Sequence, residues 1–144
     1  METYLQGIGV SPGIALAAAL RFSHDAYDVP QYTITDLAAE QRRLNEAIEA
    51  TRSDLNSIYN HTVEGLGKTH AEIFRAHIMI LDDVALREDI AHQLEIEQHN
   101  VEFILHNLAK RYVQTMSQID DPRFRERTAD MLDVVDRLLR HLLA

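Results

Sequence analysis

The stretch from Ala71 to Leu86 reads AEIFRAHIMILDDVAL and indicates the fold class. It contains no glycine or proline, so nothing in it strongly disfavours a helix. Apolar residues and one histidine recur at helical spacing, which predicts an inner stripe for a helix that begins about Lys68; the stripe comprises Ile73, Phe74, His77, Ile78 and Leu81. Asp82 and Asp83 then offer N-caps for a restart. The stretch therefore predicts a helix that breaks and begins again.

Helical periodicity continues on both sides of this stretch. Upstream, a stripe at spacings of three, four and seven predicts one helix of about 30 residues, formed by Leu37, Leu44, Ile48, Leu55, Ile58 and Thr62. Its end is predicted near Gly65 and Gly67. Its start is predicted from a capping box, Thr33 with Asp36, or from Thr35 as an alternative N-cap. Downstream, Asn100 and the pair Asp121-Pro122 mark the starts of two more helices.

Residues 1–32 look different from the rest of the sequence. Tyr4 to Val10 alternates like a short strand, Ser11-Pro12-Gly13 is a turn signal, and the apolar stretch from Ile14 to Phe22 also favours a strand. The predicted fold is mainly α: an antiparallel four-helix bundle with its second helix broken, preceded by a short β-like N-terminal segment. The predicted domain boundaries are 1–30 and 31–144.

Composition excludes several function classes. The 144 residues include no cysteine, which removes disulfides and thiolate metal sites. The formal net charge of −9 disfavours nucleic acid and anionic membrane surfaces as partners. The longest apolar run, Ile14 to Leu20, is far shorter than the roughly 20 residues of a membrane span, and Glu2 does not fit a signal peptide. We therefore expect a soluble, cytoplasmic protein without membrane insertion.

The eight histidines invite a metal or catalytic interpretation, but their spacing argues against one. His70 and His77 are seven residues apart, as are His92, His99 and His106, which separates each pair by about 10.5 Å along a helix. One metal ion cannot bridge that distance. No serine has the glycines of a nucleophile elbow, and most charged residues, Arg52 among them, are expected on solvated helix faces. We predict no catalytic residue and no metal site.

Four successive apolar residues, Ile78 to Leu81, cannot all face one core, because neighbouring positions on a helix are about 100° apart. If Ile78 and Leu81 point inward, Met79 or Ile80 should present apolar surface outward, together with Leu86 after the break. Such a surface is a candidate docking patch. The alternative is that these side chains fill a seam with a neighbouring helix.

Three blocks of the sequence carry a resemblance to a known family. They are Gly9-Val-Ser-Pro-Gly-Ile-Ala15, then Glu72-Ile-Phe-x-x-His77-Ile-Met-x-Leu81-x-Asp83, and finally Arg125-Glu-Arg-x-Ala-Asp130 with Asp133-Val and Arg137-Leu-Leu139. In this order they resemble the N-terminal, HPr-binding region of Enzyme I of the bacterial phosphoenolpyruvate:sugar phosphotransferase system, the phosphoenolpyruvate–protein phosphotransferase.

The resemblance implies a helical subdomain inserted in a swivelling α/β phosphohistidine domain, of which residues 1–30 would be a truncated piece. The helical part would dock HPr, a small histidine-containing phosphocarrier protein. The docking candidates carried over are His77, Met79, Ile80, Leu86 and Arg127. Val84 and Ala85 depart from the family, whose familiar members are acidic there, and this departure weakens the steering of a basic carrier.

The resemblance also implies that the chemistry lies elsewhere. The family's phosphoacceptor histidine follows the helical region in a Gly-Gly-x-x-Ser-His type segment that this sequence lacks, so none of the eight histidines is assigned that role. The phosphoenolpyruvate and magnesium sites belong to a later barrel domain, and the parent protein is expected to form a homodimer through its C-terminal region. We expect no cofactor in this chain. Whether it acts as an enzyme by itself is left open, and the alternative function is a stand-alone helical adaptor without phosphoryl transfer.

Overall fold

The computed structural model describes residues 4–18 and 28–144. Over these residues it contains five helices: α1 (Leu37–Leu66), α2 (Lys68–Leu81), α3 (Val84–Glu97), α4 (Val101–Ser117) and α5 (Pro122–Leu143). Helices α2 and α3 are the two pieces of the predicted broken helix. The mainly α fold and the bundle with a broken second helix are therefore confirmed. None of the helices in the two described ranges has the length and apolarity to cross a bilayer.

The helix ends follow local side-chain chemistry. Asp36 itself caps α1, since its carboxylate accepts a hydrogen bond from the Ala39 N–H at 2.9 Å, so the start predicted at Thr33 or Thr35 is wrong. Gly67 ends α1 and leads directly into α2 with a φ of 88°, a left-handed value that favours glycine. Asp83 and Asp121 cap α3 and α5 as predicted.

The described part of the N-terminal segment, residues 4–18, forms neither helix nor strand. The strand predicted for Tyr4 to Val10 is therefore absent there, because an isolated strand needs a hydrogen-bonding partner and this stretch is fully exposed. Of the second predicted strand, residues 19–22 lie outside the described residues, as do residues 1–3 and 23–27. Within the described ranges, the β pairing consists of one isolated antiparallel bridge between Thr33 and His99.

The core lies where α1 packs on α2 and α5 and where α4 packs on α3 and α5. Its fully buried large side chains include Ile48, Leu55, Leu81, Ile90, Leu94, Ile104, Leu105 and Leu138. On α2 the predicted inner stripe is partly wrong, because Ile73 is 50% exposed and Ala71 is the buried residue. Two helical positions span about 200°, so burying Ala71 turns Ile73 toward solvent.

A buried polar cluster closes the end of the bundle where α4 begins. Glu40, on α1, and Glu102, on α4, are 7% and 2% exposed, and Arg43 pairs with both. The second oxygen of Glu40 accepts from the Val101 N–H at 2.9 Å, and Arg43 donates to the Leu142 carbonyl at 3.2 Å. Burial alone would lower the pKa of Arg43, but its hydrogen bonds with the two carboxylates outweigh burial and raise it. The predicted N-cap position, Asn100, is confirmed, although Glu40 caps the helix in place of the Asn100 side chain.

Candidate functional site

A cleft of about 310 Å³ opens between α2 and α5 and brings together three of the predicted docking residues, Met79, Ile80 and Arg127. We call it the α2–α5 cleft. Its lining is completed by Ala76, Asp83 and Asp130. The sequence had placed these residues on two separate helices, and the tertiary fold makes them one surface. The cleft has an apolar wall next to one arginine and two carboxylates, so it can bind an apolar side chain of a partner protein that carries charged groups beside that side chain.

The geometry of α2 explains why Met79 is available. His77 and Leu81 are one turn apart and point into the bundle, with exposures of 3% and 2%. Met79 lies about 200° from His77 around the helix and is 70% exposed. Ile80 is half-buried and packs against the core from its edge. The four successive apolar residues therefore divide between core and surface, as the spacing predicts.

His77 is not part of the lining of this cleft. Its Nε2 atom is 3.1 Å from an Asp130 oxygen and its Nδ1 atom is 3.4 Å from an Asp133 oxygen, both on α5. The edge of the ring also meets Phe74, with ring centroids 6.1 Å apart. His77 thus joins α2 to α5, and it contacts the carboxylate of Asp130, a residue that lines the cleft. At 3% exposure it has little surface of its own to offer a partner.

Leu86 lines a second cleft, of about 270 Å³, between α3, α4 and α5. The walls of this α3–α5 cleft are mainly apolar and include Leu105, Leu108, Tyr112, Met116, Met131 and Val135. Asp89 and Arg111 add charge beside them. The two clefts are neighbours on α5, because Asp130 lines one and the next residue, Met131, lines the other.

The break between α2 and α3 is fixed from both sides. Asp83 caps α3 by accepting from the Ala85 and Leu86 N–H groups at 2.9 and 3.4 Å. Arg52, on α1, contacts both oxygens of Asp82, at 2.6 and 2.8 Å. Arg52, predicted on a solvated face, is partly exposed at 28% and pairs with Asp82, and the hydrogen bond with Asp82 raises its pKa.

Three lining residues were not among the predicted docking residues: Ala76, Asp83 and Asp130. Asp130 is the one that contacts His77. Its signal was present, since it lies three residues after Arg127 and therefore on the same face of α5. Its pairing with His77 across 53 residues was not readable from local spacing. Over residues 4–18 and 28–144, no three His, Asp or Glu side chains form a group that could hold a metal ion.

Comparison with known proteins decides the family. Residues 6–127 match the family model described as PEP-utilising enzyme, N-terminal. The chain belongs to this family. The chain is 36% identical over 143 residues to the phosphoenolpyruvate-protein phosphotransferase of Mycoplasma capricolum, and 35% identical over 139 residues to that of Bacillus subtilis. These matches cover 99% and 96% of the chain but 25% and 24% of the relatives, so the chain spans about a quarter of their length.

Two solved structures share the fold of the chain. An NMR structure of Enzyme I superimposes with a TM-score of 0.77, covering 83% of the chain and 49% of that structure. A structure of the N-terminal domain of Enzyme 1 - Nitrogen superimposes with a TM-score of 0.72, covering 80% of the chain and 48% of that structure. Both are 24% identical to the chain, so they establish a shared fold.

Proposed function

We propose that this chain docks an HPr-like phosphocarrier protein for phosphoryl transfer, within a phosphoenolpyruvate–protein phosphotransferase, from a histidine outside these 144 residues. The observation that carries the proposal is the convergence of Met79, Ile80 and Arg127 in the α2–α5 cleft. Exposed Met is adaptable and Arg is common at interface hot spots, so this pairing suits protein docking. Leu86 in the neighbouring α3–α5 cleft would extend the docking surface.

Charge supports a basic partner. Three aspartates and two arginines line the two clefts. The chain carries 23 acidic and 14 basic residues. Such a surface steers a positively charged protein and raises its association rate. With Val84 and Ala85 in place of acidic residues, the steering comes from the acidic balance of the whole chain, so we expect association to weaken as salt rises.

In this proposal His77 contributes to docking through Asp130. Its ring is nearly inaccessible, whereas the carboxylate that it contacts faces the cleft. We therefore expect loss of the His77 ring to alter the orientation of Asp130 and, through it, the affinity for the partner. A direct contact between His77 and the partner would require α2 to move away from α5.

The chemistry in this proposal belongs to other parts of the parent protein. Residues 1–30 would belong to a swivelling phosphohistidine domain, and the bundle over residues 31–144 would be its docking subdomain. The phosphoenolpyruvate and magnesium sites and the C-terminal dimer contact would lie in later domains of a cytoplasmic enzyme. The names and lengths of the phosphotransferase relatives support this arrangement. This chain would then supply docking and no catalytic residue.

The test is a titration of isotope-labelled HPr with this chain, followed by NMR chemical shifts. Wild type should shift a contiguous set of HPr signals. Met79→Asp places a charge in the apolar wall and should weaken binding by about 30-fold or more, as expected for a hot spot worth about 2 kcal/mol.

Ile96→Asp is the matched control, because Ile96 is 62% exposed on α3 and lines neither cleft. It should bind like wild type. Equal binding by Met79→Asp and Ile96→Asp would remove the cleft from the docking surface. An HPr spectrum that wild type leaves unchanged would instead favour the helical adaptor.

A further inference from the structure

The methionines of this chain are concentrated at the two clefts. The sequence contains four methionines and no cysteine. Met79 lines the α2–α5 cleft, and Met116 and Met131 line the α3–α5 cleft. Every methionine after Met1 therefore lines a docking cleft, and the chain has no thiol that would compete with these thioethers for an oxidant.

Exposure distinguishes Met79 from the other two methionines of the clefts. Met79 is 70% exposed, whereas Met116 and Met131 are half-buried, and Met131 also packs against the hydrophobic core. A thiol reacts as its thiolate, but a thioether has no proton to lose before it reacts. Access of the oxidant therefore decides which thioether reacts first, and Met79 is the most accessible of the three.

A peroxide supplies the oxidising chemistry. The sulfur lone pair of Met79 attacks one oxygen of hydrogen peroxide, so that an S–O bond forms while the O–O bond breaks. Sulfur loses two electrons, and the peroxide is reduced to water, because the departing hydroxide takes up the proton left on the transferred oxygen. The product is methionine sulfoxide, which methionine sulfoxide reductases convert back to the thioether.

The sulfoxide would change the wall of the α2–α5 cleft without disturbing the bundle. Met79 lies about 200° around α2 from the buried His77, so in the free chain the added oxygen meets solvent. In a docked complex the same oxygen would lie against apolar surface of the partner. Burying a polar group without a hydrogen-bond partner is unfavourable, so oxidation should weaken docking and leave folding unchanged.

We propose that Met79 is a reversible oxidation site, at which a peroxide converts the thioether to the sulfoxide and thereby weakens docking of the phosphocarrier. This inference rests on the proposed function, which supplies the docking partner. Through Met79, docking responds to oxidants although the chain has no cysteine. Met116 and Met131 react later, because their side chains are less accessible.

The first experiment measures the order of oxidation in the whole chain. The chain is treated with hydrogen peroxide, catalase stops the reaction at intervals, and peptide mass spectrometry reports the gain of one oxygen at each methionine. Met79 should reach half-conversion about threefold or more earlier than Met116 and Met131, because it is the most exposed of the three. Earlier oxidation of Met116 or Met131 would contradict the proposal.

The second experiment measures docking at the time when Met79 is mostly oxidised. HPr that has not met peroxide is added after catalase treatment, and an NMR titration compares its affinity for the oxidised and the reduced chain. The affinity should fall about tenfold, with an unchanged far-ultraviolet circular dichroism spectrum, and should return after treatment with the reductases for both sulfoxide epimers. The proposal is wrong if Met79 is converted and the affinity stays the same, or if the helical signal is lost together with binding.

Two leucine variants assign the effect to Met79, because leucine has nearly the volume of methionine but no sulfur. Each variant is compared with itself before and after peroxide. The affinity of Met79→Leu should change by less than about twofold on treatment, whereas the variant that combines Met116→Leu with Met131→Leu should keep the full loss. Met1 is present in both, so its oxidation cannot cause the difference. A loss in Met79→Leu as large as in wild type would refute the assignment even if the combined variant is unstable.

The reduced chain separates this inference from the proposed function. If reduced wild type does not bind HPr, the proposed function and this inference fall together. If reduced wild type binds HPr and the chain with Met79 sulfoxide binds it equally well, this inference alone falls.

Discussion

Replacing Arg43 by methionine tests the buried polar cluster most directly. Methionine keeps much of the side-chain length but leaves Glu40 and Glu102, 7% and 2% exposed, without their shared cation. Removing one partner of a buried ion pair costs about 3–5 kcal/mol, mainly because a desolvated charge is left uncompensated. The Arg43 side chain is 35% exposed, so water can partly replace it and the lower end, about 3 kcal/mol, applies. At about 3 °C per kcal/mol, Tm should fall by about 10 °C.

The assay is urea unfolding followed by far-ultraviolet circular dichroism. Arg42→Met is the matched control, since the neighbouring Arg42 is exposed and should change stability by no more than about 0.5 kcal/mol. Adding Glu102→Gln to Arg43→Met removes one of the two uncompensated carboxylates. The double variant should regain about 1–2 kcal/mol of unfolding free energy, because the two sites are coupled. The reasoning is refuted if Arg43→Met costs no more than Arg42→Met, or if the second substitution restores nothing.

Three further predictions concern titration, packing and capping. Burial and the nearby Lys110 lower the pKa of His106 below its ordinary value of 6.5, so its NMR titration midpoint should lie below 6.5 and rise in Lys110→Gln. The His106 imidazole binds its proton more readily in the unfolded chain than in the folded one. His106 should therefore favour folding above about pH 6.5 and lose this contribution as the pH falls. Leu94→Ala leaves a cavity at a fully buried position and should lower the free energy of unfolding by about 2–5 kcal/mol in chemical denaturation. Leu66→Ala, at a position that is 69% exposed, should lower it by no more than about 0.5 kcal/mol. Asp36→Ala removes the α1 cap and should lower the free energy of unfolding by about 1 kcal/mol.

Local sequence signals predicted the helices well because each signal acts within one turn. Gly67, Asp83 and Asp121 begin or end helices through backbone conformation and hydrogen bonds to near neighbours. The error at the start of α1 is of the same local kind, since Asp36 and Thr33 compete for one role and the carboxylate of Asp36 caps the helix. The predicted strand failed for another reason: pairing needs a second strand, which no local pattern supplies.

The candidate site was predictable only in part. Spacing showed that Met79 or Ile80 must face outward, and the resemblance added Leu86 and Arg127. The division of these residues between two clefts came from the packing of α5 against α2 and of α4 against α3 and α5. The burial of His77 against Asp130 likewise depends on a contact between helices, 53 residues apart in sequence.

By itself, then, the sequence determined the helical class, the break after Leu81 and the outward position of part of the apolar run, because propensity, capping and a 3.6-residue period are local properties. Tertiary structure alone decided that Ala71 and not Ile73 is buried. It also decided that Glu40 accepts from the Val101 N–H, while the side chain of Asn100 binds the backbone of Pro30 and Tyr32. A helix has apolar groups on more than one face, and a polar group has several possible partners. Packing against neighbouring elements decides which apolar face is buried and which polar partner is used, because water is excluded from the packed groups and stays on the others.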